Sequence, residues 1–65
     1  MPKAETRRGK TPHGGDREVV YYFDDKWKPV EKSIATRVKI VEYDGKEPIH
    51  RVYGVLRRRD LVRDH

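Results

Sequence analysis

Large apolar side chains are missing from residues 2 to 18 and then arrive as a block, Val19-Val20-Tyr21-Tyr22-Phe23. Five consecutive β-branched or aromatic residues suit a strand. Val19, Tyr21 and Phe23 point one way and Val20 and Tyr22 the other, so both faces of this strand are apolar and one strand of a single layer needs cover on both sides. Asp24-Asp25-Lys26 ends it with turn chemistry.

The next stretch carries two periods. Val30, Ile34 and Val38 recur every four residues, as in a helix, while Ile34, Thr36, Val38 and Ile40 alternate with period two. Thr36, Val38, Ile40 and Val41 are β-branched, which disfavours a helix. The pattern therefore predicts an irregular or single-turn segment over 28–34, with Pro29 able to open the turn, and a strand over 35–43. Tyr43-Asp44-Gly45-Lys46 reads as a hairpin turn with Gly45 at positive φ. A third strand follows over 48–57, and Gly54 inside it suggests a bulge or a close backbone approach.

Hairpin register decides which residues share a face. A two-residue loop sets Tyr43 opposite Lys46 and Ile40 opposite Ile49. A four-residue loop sets Tyr43 opposite Pro48 and Val38 opposite Tyr53. Both place Ile34, Val38, Ile40, Ile49, Tyr53 and Val55 on one side and Arg37, Lys39, Val41, Tyr43, His50, Val52 and Leu56 on the other. A three-residue bulged loop would reverse the pairing. The expected core is Val38, Ile40, Tyr53 and Val55, with Tyr21 or Phe23 against them.

These elements imply a mainly β fold: a small antiparallel meander of three or four strands, or an open barrel, with strands near 17–24, 35–43 and 48–57. Residues 1–16, punctuated by Pro2, Pro12, Gly9, Gly14 and Gly15, lack apolar anchors and are expected to be a disordered basic tail. The small β domain spans 17–57, and 58–65 form a short basic C-terminal tail. In a chain of 65 residues, one domain is the limit, and the marginal core leaves room for stabilisation by a partner.

Charge changes the picture. The net charge is +5. Residues 1–16 hold four basic and two acidic groups, residues 57–65 again four and two, and the middle eight and seven, which gives +2, +2 and +1. Positive ends around a balanced middle suggest adhesion to an anionic partner. Arg7, Arg8 and Lys10 form one cluster and Arg57, Arg58 and Arg59 another, with Arg37, Lys39 and Arg51 extending it across the sheet. Tyr21, Tyr22, Trp27, Tyr43 and Tyr53 offer stacking surfaces. The opposing reading is that the aromatics pack the core and that Glu18, Glu31, Glu42 and Glu47 cancel the charge of the sheet.

Catalytic chemistry finds little support. There is no cysteine, which removes disulfides and thiolate metal sites. Ser33 lacks a glycine elbow. Asp24 and Asp25 fit a turn, and Gly9-Lys10-Thr11 lacks the rest of a phosphate loop. His13, His50 and His65 are widely spaced, so no metal site is expected; Lys39 or Val41 is the expected cross-strand neighbour of His50. No cofactor, catalytic residue, signal peptide or membrane span is expected, and a cytoplasmic location is. The reading is a non-catalytic, sequence-tolerant nucleic-acid binder acting through its terminal clusters. The alternative is a protein-interaction module or homodimer using a β face or edge, a size class shared with phage accessory proteins and toxin-system partners.

Overall fold

The backbone pairs as the apolar runs require, with one addition and one reversal. The computed structural model describes residues 4–56. It contains β1 (Glu5–Arg8), β2 (Arg17–Phe23), β3 (Arg37–Asp44) and β4 (Glu47–Val55), with one 3-10 turn at Lys32–Ile34 between β2 and β3. The strands form one open antiparallel sheet in the order β1-β2-β3-β4, a meander that leaves β1 and β4 as edges. No helix among the described residues is long and apolar enough to cross a membrane.

The addition is β1. Residues 5–16 are not the expected disordered tail: Glu5 to Arg8 pair with Val20 to Arg17. The strand buries little side chain, and backbone hydrogen bonds to β2 hold it, a source of order that apolar patterning does not report. Glu5 adds a side-chain clamp, accepting from the Tyr22 hydroxyl at 2.7 Å. That bond, helped by nearby Lys32, holds the Glu5 carboxyl below its ordinary pKa. Gly9–Asp16 is also tied down: Gly9 N donates to Asp16 O at 2.9 Å, Gly14 N to Thr11 O at 3.1 Å, and Asp16 N to Tyr43 O at 2.8 Å. A Cβ at Gly15 would collide with the Tyr43 carbonyl oxygen and lie 3.1 Å from Ile49 Cδ1, so only glycine lets this loop seat against the hairpin.

The reversal is a β-bulge. Gly45 has φ 63°, as expected from Asp-Gly, but the two-residue turn is Gly45-Lys46, closed by Asp44 and Glu47, and not Asp44-Gly45. Tyr43 lies opposite Pro48, but Glu42 lies opposite His50, so Ile49 is the extra residue. From there to the end of β4 every side chain changes face relative to the expected register. Val38 meets Gly54, Ile40 meets Val52, and Lys39 meets Tyr53. Gly54 marks neither a bulge nor a close backbone approach: a Cβ added there would meet only the Val38 side chain, at ordinary contact distance.

The core moves accordingly. Val20 (3% exposed), Tyr22 (6%) and Ala35 are buried, with Val30, Val38, Ile40 and Leu56 packed against them, and Val41 is buried on the opposite face beside Val19 and Arg51. Tyr53 and Val55, expected in the core, are exposed at 59% and 68%, because the bulge sends them to the other side. The β2–β3 connection covers the core face. It is pinned by Val30 N to Tyr22 O at 3.2 Å and Thr36 N to Phe23 O at 2.9 Å. The Asp24 carboxylate opens it by accepting from Lys26 N and Lys28 N, an Asx-type turn.

Candidate functional site

The register sorts the charged residues of the strands by face. Arg8 lies opposite Arg17, Arg17 opposite Tyr43, Tyr21 opposite Lys39, Lys39 opposite Tyr53, Val41 opposite Arg51, and Phe23 opposite Arg37. All lie on the face turned away from the core. The carboxylates Glu5, Glu18 and Glu42 lie on the core face, opposite Val20, Arg7 and His50 respectively. Except for Arg7, the strand cations are thus separated from the strand carboxylates by the sheet, and its open face is basic.

Aromatic rings interleave with these cations. The Lys39 ammonium sits 4.9 Å from the Tyr21 ring centroid, the Arg17 guanidinium 4.6 Å from Tyr43, and the Arg37 guanidinium 5.2 Å from Trp27, all within cation–π range. Trp27 packs at 5.5 Å against Phe23 and edge-on at 5.7 Å against Tyr53. Trp27 is 41% exposed and has φ 62°, a region that bulky residues avoid. The turn that imposes this strain aims the indole onto the open face. Tyr21 and Tyr43 join through their hydroxyls at 3.4 Å, and that bond, with burial second, raises the Tyr21 pKa.

Of the cations named from sequence, Arg37, Lys39 and Arg51 come together on this face, and none of the three takes part in an ion pair among the described residues. Arg8 joins them at the β1 edge. Arg7 does not; it faces Glu18 on the core side. Lys10 is exposed in the β1–β2 loop. Arg57, Arg58 and Arg59 lie outside the described residues, as does the tail 58–65. Arg17, not singled out from sequence, belongs to the face, although Asp16 contacts it at 3.3 Å and it donates to the Gly45 carbonyl at 2.6 Å.

The core face holds a second constellation at the end of the sheet away from Tyr22. His50 is opposite Glu42, not Lys39 or Val41 as expected. His13, on the β1–β2 loop, donates from Nδ1–H to the Glu42 carboxylate oxygen Oε2 at 2.8 Å, and its ring stacks on His50 with centroids 3.8 Å apart. Separations of 29 and 37 positions hide this cluster from spacing arguments, and only knowledge of the bulge would have placed His50 on the right face.

No protein family, curated protein or solved structure matches this chain.

Proposed function

We propose that the protein is a non-catalytic binder of single-stranded nucleic acid, held across the open face with little sequence preference. One observation carries the proposal: Arg8, Arg17, Arg37, Lys39 and Arg51 share a face with Tyr21, Tyr53 and Trp27 while the strand carboxylates occupy the other. Cations track phosphates and exposed rings stack on bases, a combination that suits unpaired strands because every base has a π face. A duplex hides those faces, and groove reading needs an inserted helix or ribbon; the described residues contain only the single 3-10 turn. The clusters Arg7-Arg8-Lys10 and Arg57-Arg58-Arg59 would add sequence-independent attraction.

The test is a titration of labelled single-stranded and duplex oligonucleotides at several salt concentrations. Single strands should bind more tightly and quench Trp27 fluorescence. The log affinity should fall with log salt by about 0.7 per phosphate contact on single strands. Replacing Arg37, Lys39 and Arg51 with Gln should flatten that slope by about 2. Equal affinity for duplex, or an unchanged slope, sinks the reading.

A second reading rests on β4. This edge strand exposes Ile49, Val52 and Val55 beside unpaired backbone groups, a template for strand addition by a second copy or a partner protein. Pro48 blunts only its first turn-proximal positions. Sedimentation showing a dimer, with no oligonucleotide binding at low salt, would favour this reading.

A further inference from the structure

Three parts of the chain are brought to one point by devices that do not serve the core. The bulge at Ile49 turns His50 to the face of Glu42. Gly15, where no Cβ fits, seats the β1–β2 loop against the same hairpin. That loop carries His13 over Glu42. Each of the three side chains offers one ligand atom, and these atoms lie within 4.8 Å of one another. We propose that His13, Glu42 and His50 bind a zinc-class divalent cation.

The donor set selects the ion. Two imidazole nitrogens and one carboxylate oxygen suit Zn²⁺ and its borderline neighbours, whereas Mg²⁺ and Ca²⁺ require oxygen donors. The electrostatics favour a cation as well. Glu42 is 3% exposed, and a buried carboxylate needs a positive or hydrogen-bonding partner. Glu18 lies directly opposite it on β2, so two carboxylates share this end of the face, with Arg7 placed against Glu18. His13 is half exposed, with a side-chain exposure of 51%, which gives the ion a path from solvent. Three protein ligands leave a fourth tetrahedral position for water.

Binding requires a small rearrangement, and the fold provides for it. The stacked rings are 15° from parallel, and each imidazole lone pair lies in its ring plane, so one ring must turn for both to reach one ion. His50 is held in β4, whereas the half-exposed His13 side chain can turn about its own bonds without moving the β1–β2 loop. Turning His13 breaks its hydrogen bond to Glu42, and the cation replaces that link. The ligand atoms then close to the roughly 3.3 Å separation implied by bonds of about 2.0–2.1 Å in a tetrahedron.

The test is titration of the metal-free protein with ZnCl₂, and with MgCl₂ as a control, read by imidazole ¹⁵N spectra and by thermal unfolding. One equivalent of Zn²⁺ should shift the ring nitrogens of His13 and His50 together and raise Tm, and Mg²⁺ should do neither. His13→Gln keeps a hydrogen-bonding partner for Glu42 but is a poor zinc ligand. It should fold with an unchanged metal-free Tm and lose at least tenfold in Zn²⁺ affinity, as should His50→Ala. Absence of ring shifts in excess Zn²⁺, or an affinity that His13→Gln and His50→Ala leave intact, would overturn the proposal.

Discussion

On the covered face of the sheet Val20, Tyr22 and Ala35 are sealed by the β2–β3 connection, and at its far end Glu42 is sealed under the β1–β2 loop. On the open face, made by the same strands, Tyr53 and Val55 stay exposed and the cations lie against rings. Strand alternation gives the two faces equal numbers of positions, so the contrast comes from what covers them. Among the described residues both connections pack on one face, while the other is met by the Trp27 side chain of the β2–β3 connection and buries Val41. Aromatic residues therefore do different work on each side: Tyr22 stabilises by burial, whereas Tyr53 presents a surface. An aromatic-rich strand in a small protein is evidence for a core only once the covering segments are known.

The sharpest test of this contrast is Tyr22→Ala. Loss of a buried ring should cost roughly 3–5 kcal/mol, enough to unfold a chain of this size, and a urea midpoint that hardly moves would show that the core lies elsewhere. Gly15→Ala comes next. Its methyl group would meet the Tyr43 carbonyl, and such overpacking should cost roughly 1–3 kcal/mol. If the β1–β2 loop is a separable cover, amide exchange should accelerate in 5–16 while β2 to β4 stay protected. Uniform acceleration would make the loop part of the core.

A pH scan distinguishes the faces without gross damage. Burial first, then the bond to Glu5, push the Tyr22 pKa from 10.0 up to about 12. The raised value means that the fold favours the neutral phenol. Its contribution is complete below pH 10 and is lost as pH rises from there towards 12. Stability should fall across that window, and Tyr22→Phe should flatten the fall more than Tyr21→Phe does. Equal effects would mean that the two phenols share one environment. The smallest effect on stability is expected from Tyr53→Ala, about 1 kcal/mol or less from the lost edge-on contact with Trp27. Oligonucleotide affinity should nonetheless fall about five- to a hundredfold, as one stacked base is lost. A large destabilisation with unchanged binding would reverse the roles of the two faces.

Much of this architecture was legible along the chain. Val19 to Phe23 is a β-branched and aromatic run, and Thr36, Val38, Ile40 and Val41 are β-branched with a period-two alternation, which favours a strand in each case. Gly45 marks the hairpin because glycine alone enters positive φ at little cost, and an irregular turn near 28–34 followed from the clash of two periods. These are local properties. Three features depended on tertiary contacts. The polar strand β1 carries no apolar signal, since an edge strand is held by backbone hydrogen bonds to a neighbour formed from residues 17–20. The bulge at Ile49 is one extra residue, invisible to a period-two pattern until a partner strand counts against it, yet it exchanged Tyr53 and Val55 for Val52 and Gly54 on the core face. The joining of Arg51 to Lys39 on the face away from Glu42, and the meeting of His13 with His50, followed from those two pairings. Local propensity decides which residues become strands. Only the pairing of distant strands, where a shift of one residue inverts a face, decides which side chains meet.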